Sequence, residues 1–192
     1  MRQTIVAVCA TLACCGISSS ARGQDLSRVE VAAGYTLAMI RHDFDWKPYQ
    51  GWAIEEATFV RPRLAVPITV DGVYWNWTAP NTPTVGEQHH RLGFLAGVRA
   101  TGDRHGSMTP FVEVLAGVVR ASYRLYGLSE SDFVGSDSAF AIQPGGGFDL
   151  RLNRWLSVRA SVDARVASPR FATAWKYPEW RFGAGLSYRA NK

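Results

Sequence analysis

The sequence predicts an all-β protein: an eight-stranded antiparallel up-and-down transmembrane β-barrel with an apolar exterior and a charged, glycine-rich lumen. Three observations support this prediction. Segments of about ten residues alternate between apolar and polar positions. The connections between them differ in length, and aromatic residues collect near the segment ends. No segment beyond the N-terminal region shows the apolar spacing of an amphipathic helix.

The N-terminal residues 1–23 are predicted to be a secretory signal peptide rather than part of the fold. They have a basic residue, Arg2, near their start, continue with an apolar run and end in small residues, which is the arrangement of a cleaved signal. The apolar run is too short to span a bilayer as a helix. All three cysteines lie in this segment, so the barrel domain, residues 24–192, is predicted to have no disulfide.

Alternating segments in residues 24–192 predict eight strands. They are predicted at residues 28–40, 51–60, 63–75, 88–100, 109–124, 138–150, 154–167 and 179–190. Most exceed the length of about five or six residues that is usual in soluble sheets. Long loops are predicted after the first, third, fifth and seventh strands, and short turns after the second and sixth. This asymmetry is typical of the extracellular loops and periplasmic turns of outer-membrane barrels.

The first four strands differ in regularity. The second strand carries two adjacent carboxylates, Glu55 and Glu56, which fall on opposite faces. The third strand contains Pro67, and because proline lacks the N–H that a closed sheet needs, a bulge is predicted there. The fourth strand alternates clearly. Its apolar face carries Leu92, Phe94, Ala96 and Val98, and its opposite face carries Arg91, Gly93, Gly97 and Arg99.

The last four strands contain the clearest alternation and two irregularities. In the fifth strand Glu113 and Arg120 fall on opposite faces, which predicts a bulge or a shifted strand end. The sixth strand contains Pro144, and a second bulge is predicted there. The seventh strand is the most regular: alternate residues from Leu156 to Val166 are apolar, and the residues between them are polar or charged. The eighth strand continues the pattern with alternate apolar residues from Trp180 to Tyr188.

Alternation alone fits two kinds of barrel, a soluble barrel with apolar residues inside and a membrane barrel with apolar residues outside. The aromatic residues favour the membrane barrel, because they fall at both ends of the apolar faces with aliphatic residues between them. The predicted aromatic girdle consists of Tyr74, Trp75, Tyr123, Phe140, Phe148, Trp155, Trp180 and Tyr188. The charges on the opposite faces then lie inside and must pair. The predicted lumen network consists of Asp71, Arg91, Arg99, Asp149, Arg159, Asp163, Arg165 and Arg181.

With its signal peptide, its eight strands, its loop asymmetry and the hairpin GGGFDLRLNRWLSVRASVDARV at residues 145–166, the chain resembles the small OmpA/OmpX-like outer-membrane β-barrel family. The resemblance covers nearly the whole mature chain. It implies a bacterial outer-membrane location, contact with outer-membrane lipid and lipopolysaccharide, and insertion by the outer-membrane assembly machinery. Members of the family usually end on an aromatic residue, whereas here Tyr188 is followed by the residues RANK.

The predicted role is structural or interactive at the cell surface, with the long loops as the binding elements of a monomer. Three alternatives remain open: a narrow ion or small-solute pore, an outer-membrane lipid-modifying enzyme, and a soluble lipocalin-like binder. The histidines at positions 42, 89, 90 and 105 match no catalytic or metal-ligand spacing. The sequence therefore predicts no enzyme activity, metal or cofactor. Basic residues are scattered singly, which excludes a nucleic-acid partner.

Overall fold

The computed structural model describes residues 28–42, 45–127, 133–168 and 178–190. The strands are β1 (Arg28–His42), β2 (Asp45–Arg61), β3 (Leu64–Ala79), β4 (Thr82–Thr101), β5 (Met108–Tyr126), β6 (Phe133–Arg151), β7 (Leu156–Ser168) and β8 (Glu179–Ala190). Neighbouring strands pair antiparallel in chain order, and β8 pairs with β1 to close the barrel. The predicted eight-stranded up-and-down fold is confirmed. The predicted signal peptide lies outside the described residues and stays a prediction.

The register of the strands sets the shape of the barrel. Tyr35 in β1 lies opposite Trp52 in β2 and opposite Ala184 in β8. When the pairing is followed from strand to strand, it returns to β1 about ten residues from its starting point. The strands are therefore tilted, and eight tilted strands enclose a lumen that side chains can fill.

The two faces of the wall differ in polarity, as β7 illustrates. Val162 and Val166 project outward and are about half exposed, whereas Arg159, Asp163 and Arg165 project inward and are buried. Valine, leucine, isoleucine and phenylalanine are exposed on the outer face of every strand from β3 to β8. A soluble barrel has the opposite arrangement, so the lipocalin-like alternative is wrong. An apolar exterior of this extent on a closed barrel faces lipid.

The extracellular ends differ from the sequence prediction. One end of the barrel carries the start of β1, the end of β8 and the turns after β2, β4 and β6, and we call it the periplasmic end. We call the opposite end the extracellular end. The prediction of long loops after the first and third strands is wrong. β1 ends at His42 and β2 already begins at Asp45, and only Pro80 and Asn81 separate β3 from β4. The strands continue into the segments predicted as loops, because backbone pairing does not require apolar side chains. Trp46, for example, pairs with Arg41. Residues 128–132 and 169–177, within the other two predicted loops, lie outside the described residues.

The bulges predicted at the two prolines are also wrong. At Pro67 the pairing of β3 with β4 lapses between Ala65 and Ile68 and then resumes in the same register. Pro144 coincides with a similar lapse between β6 and β7, again without a change of register. Because proline has no N–H to donate, a short gap in the ladder accommodates it. The register shifts instead lie beside turns, for example after Phe59.

The charged residues that fall on opposite faces need no bulge either. Glu113 faces the lumen and is buried, whereas Arg120, near the extracellular end of the same unbroken ladder, is exposed outside. Arg120 donates a hydrogen bond from Nη2 to Ser136 Oγ, at 3.3 Å. Glu55 and Glu56 likewise face inside and outside respectively. Among the described residues no helix is long and apolar enough to cross a membrane.

Candidate functional site: the salt-bridged lumen and its extracellular mouth

Charged side chains from seven strands meet in the periplasmic half of the lumen, and we call this group the lower layer. It consists of Glu30, Glu55, Arg99, Glu113, Asp149, Arg159 and Arg189. Alternation places them there, because each occupies an inward position of its strand. Inside a narrow barrel they are removed from bulk water, so each charge requires a partner.

Arg99 is the most deeply buried member of the lower layer, with 1% of its surface exposed. Its Nη1 and Nη2 donate to the two oxygens of Glu55, each at 2.6 Å, and its Nε donates to Glu113 at 2.8 Å. Its guanidinium carbon also lies 4.5 Å from the ring centre of Phe111. Bidentate pairing and ring contact together satisfy a buried guanidinium.

Arg159 connects the opposite wall to the same group. It donates from Nε and Nη2 to the two oxygens of Asp149, at 2.8 and 2.9 Å, and from Nη1 to Glu55 at 2.6 Å. It also contacts Glu30, which accepts two hydrogen bonds from Arg189 at 2.9 and 2.5 Å. Because Glu55 lies on β2 and Arg159 on β7, these bonds cross the lumen.

A second group, the upper layer, crosses the lumen nearer the extracellular end. Asp71 accepts from Arg165 Nη2 at 2.6 Å and from Arg181 Nη2 at 2.7 Å. Glu179 accepts from Arg181 at 2.5 Å and from Arg91 at 3.0 Å. Every carboxylate and guanidinium of this layer is therefore in an ion pair.

Asp163 lies between the layers and is the exception. The residue is 8% exposed, and among the described residues its Oδ1 has no hydrogen-bond partner and its Oδ2 accepts only from Ser161 Oγ, at 3.4 Å. It borders a cavity of about 80 Å³ that separates the two layers. Gly145 packs against it so closely that a Cβ there would lie 1.8 Å from Asp163 Oδ1.

The structure places all the predicted lumen residues inside the barrel, and it pairs all of them except Asp163. Sequence reasoning missed the acidic partners and one arginine. The missed residues are Glu30, Glu55, Glu113, Glu179 and Arg189. The signal for Glu113 was its inward parity with Phe111 and Leu115, which the prediction of a bulge obscured.

The predicted girdle residues divide into two groups. The outward group is exposed on the outer surface or, for Trp155, stacks on an exposed ring; it consists of Tyr74, Phe140, Phe148, Trp155, Trp180 and Tyr188. Trp75 and Tyr123 do not belong to the girdle. They face the inside of the barrel, because they continue the inward parity of Val73 and Val119 beyond the upper layer.

These two rings belong to an aromatic cluster that lines the extracellular mouth. Trp75 packs at 6.1 Å from Tyr49 and at 5.4 Å from His89, and His89 stacks at 6.3 Å on Tyr123. Lys47 lies 5.8 Å from the Trp75 ring. We call these residues the mouth cluster. It offers ring faces and a cation just above the upper layer, which are groups suited to stacking and cation–π contacts.

The remaining histidines are separated in space. His90 projects outward from β4 and lies opposite Ser122 in the register, while His105 lies in the turn after β4. The side chain of His42 lies outside the described part of the chain. An acyl-transfer site requires a histidine hydrogen-bonded to its serine and a third group that orients the ring; His90 and Ser122 share no hydrogen bond in the described structure.

No protein-family model matches this sequence, and no curated protein sequence matches it. Solved structures match its fold. Ail, the attachment invasion locus protein of Yersinia pestis, solved with the heparin analogue sucrose octasulfate, gives a TM-score of 0.65 at 11% identity, over 86% of this chain and 99% of that chain. Neisserial surface protein A gives 0.59 at 12% identity, over 83% and 96%. OprG of Pseudomonas aeruginosa gives 0.51 at 12% identity, over 88% and 99%.

At these identities the likeness concerns the fold. The small outer-membrane barrel fold expected from the sequence resemblance is confirmed by these matches. The apolar exterior, the closed ladder and the outward aromatic residues agree with that fold. The predicted location in the bacterial outer membrane is confirmed by the fold, because a closed β-barrel with an apolar exterior is the transmembrane architecture of outer-membrane proteins.

Proposed function

We propose that this protein is a closed outer-membrane barrel that binds a ligand at the cell surface through its extracellular mouth. The observation that carries the proposal is the mouth cluster on top of a salt-bridged lumen. A ligand that enters the mouth meets the upper layer, where Arg181 and Arg165 converge on Asp71. The ion pairs of the upper layer therefore close the lumen below the mouth.

The chemistry of the mouth favours a ligand with ring faces and anionic groups. Trp75 and Tyr123 supply ring surfaces. Lys47 supplies a positive charge beside Trp75, and its Nζ lies 4.0 Å from Asp45 Oδ2, a distance at which an anionic group of a ligand can compete for it. Saccharide and aromatic rings stack on such surfaces, and sulfate or carboxylate groups pair with the cation. Ail, which has the same fold, was solved with a sulfated saccharide, and we take a sulfated saccharide as the probe for this chain.

The test measures binding of labelled sucrose octasulfate to intact cells that express the protein, because only the extracellular end is accessible there. We expect Trp75→Ala to weaken binding by about fivefold or more, since it removes the central ring of the cluster. The matched control is Trp46→Ala, which removes a tryptophan of the neighbouring strand that faces outward. Equal binding by the wild type and Trp75→Ala, or equal losses in both variants, contradicts the proposal.

A further inference from the structure

A second pocket lies at the opposite end of the barrel from the mouth, directly below the lower layer, two of whose residues, Asp149 and Arg189, line it. It has a volume of about 250 Å³ and is formed by the turn after β6, the turn after β4 and the ends of neighbouring strands. Its charged and aromatic lining consists of Arg104, Arg151, Arg154, Arg189, Asp149 and Trp155. Four of these six are arginines.

The pocket has an excess of positive charge. Its carboxylate, Asp149, accepts hydrogen bonds on both oxygens from Arg159, and Arg189 is engaged by Glu30. Arg104, Arg151 and Arg154 form no ion pair with any carboxylate in the described part of the chain. These three arginines are exposed at the periplasmic end, whereas the buried arginines of the two layers above them are paired.

The turn that carries two of these arginines is held in place. Asn153 Oδ1 accepts hydrogen bonds from the backbone N–H groups of Trp155 and Leu156, at 2.8 and 3.0 Å. Arg151 Nε donates to the Asn153 carbonyl at 2.9 Å, which leaves its two terminal nitrogens for another acceptor. The guanidinium of Arg154 lies 5.0 Å from the Trp155 ring. These contacts orient Arg151 and Arg154, and a guanidinium group that is already oriented loses less side-chain entropy when an anion binds.

From this geometry we propose that the periplasmic pocket binds a phosphate group. Guanidinium groups present paired N–H donors that match the oxygens of phosphate, and several of them around one cavity favour an anion with multiple charges. The volume suits phosphate or pyrophosphate, or a lipid headgroup. Trp155 stacks at 6.4 Å on Tyr188, which is exposed on the lipid-facing surface. The pocket therefore adjoins the periplasmic membrane surface, and its phosphate comes from an inner-leaflet phospholipid or from the periplasm.

The test is calorimetric titration of the purified, folded barrel with sodium pyrophosphate in phosphatidylcholine nanodiscs. We expect the triple variant Arg104→Gln, Arg151→Gln and Arg154→Gln to bind at least about tenfold more weakly than the wild type. The charge-matched control is the triple variant Arg61→Gln, Arg120→Gln and Arg124→Gln, which lies outside the pocket and keeps wild-type binding within about twofold. A heat-modifiable gel shift verifies that each variant is folded, and Arg151→Gln alone, expected to lose about threefold, replaces the triple variant if that one misfolds.

A second arm distinguishes the two sources of phosphate. If a phospholipid headgroup occupies the pocket, replacing part of the phosphatidylcholine by phosphatidylglycerol weakens pyrophosphate binding by competition. If the occupant is soluble, the exchange leaves the affinity unchanged, and both results support the pocket. Absence of pyrophosphate binding to the wild type overturns the proposal, as does equal affinity of the wild type and the pocket variant.

Discussion

At the scale of single residues, the same lumen contains buried charges with full sets of partners and one buried charge that is poorly paired. Both oxygens of Asp149 accept hydrogen bonds from Arg159. Asp163 lies four residues after Arg159 on the same face of β7, and its Oδ1 has no hydrogen-bond partner among the described residues. A buried charge stabilises a fold only when its desolvation is offset by partners. These two buried carboxylates on adjacent strands are therefore expected to respond oppositely to neutralisation.

We expect Asp163→Asn to raise the free energy of unfolding by about 1 kcal/mol, because it removes a poorly paired buried charge. Asp149→Asn is the matched comparison and should lower that free energy by about 2–3 kcal/mol, because it leaves Arg159 partly unpaired. Urea unfolding of the barrel in lipid vesicles measures both. A loss of stability in Asp163→Asn as large as in Asp149→Asn would show that the Asp163 carboxylate is paired in the membrane.

The same scale shows where sequence reasoning fails. Trp75 and Tyr123 occupy predicted strand ends, and aromatic residues at strand ends suggest a girdle. Their side chains lie on the same alternate positions as Val73 and Val119, which face inward. This alternation continues without interruption above the membrane, so both rings face inward as well. Glu113 was missed for the related reason that one irregular residue, Arg120, suggested a bulge. The pairing of individual charges requires the register of strands distant in sequence, which composition and alternation do not contain.

At the scale of secondary structure, prediction succeeds where lipid imposes a pattern. The eighth strand has the predicted bounds, and the seventh differs by two residues at its start and one at its end, because alternation between lipid and lumen is strong there. The hairpin of β3 and β4 was predicted to contain a long loop. Above the membrane both faces of a strand meet water, so the residues show no apolar alternation even though their backbones pair.

The lipid-facing side of β7 gives a direct test of its orientation. Val162 is 48% exposed on the outer surface, and we expect Val162→Arg to destabilise the barrel by about 2–4 kcal/mol, because it places a charge in the apolar belt. Leu152→Arg is the control, since Leu152 is 60% exposed but lies in the periplasmic turn. The heat-modifiable gel shift and urea unfolding in vesicles measure the difference. Similar stability of the two variants would mean that the belt lies elsewhere on the wall.

At the scale of the whole molecule, eight strands enclose a lumen that two layers of ion pairs cross. The lower layer runs from β2 to β7 through Glu55 and Arg159, and the upper layer runs from β3 to β8 through Asp71 and Arg181. The cavity between them is about 80 Å³. The sequence established the strand number and the polarity of the lumen, but the crossing bonds become visible only when the barrel is closed.

We therefore expect the purified protein to produce no discrete current steps in planar lipid bilayers at moderate voltage. Ions that enter from either side meet paired guanidinium and carboxylate groups, and separating such a pair in a region of low dielectric costs several kcal/mol. An open porin inserted into the same bilayers serves as the positive control. Regular unitary steps from a sample that also shows the heat-modifiable shift would favour the pore alternative.

The ion pair between Arg189 and Glu30 joins the last strand to the first. Glu30 emerges early in synthesis and Arg189 near its end, so this carboxylate has no such partner until the two terminal strands meet. Glu55 likewise pairs across the lumen with Arg159 of β7, whereas its other partner, Arg99, lies on β4, only two strands away. We therefore expect insertion intermediates to keep these carboxylates hydrated, and we expect water to leave the lumen late, when β8 pairs with β1.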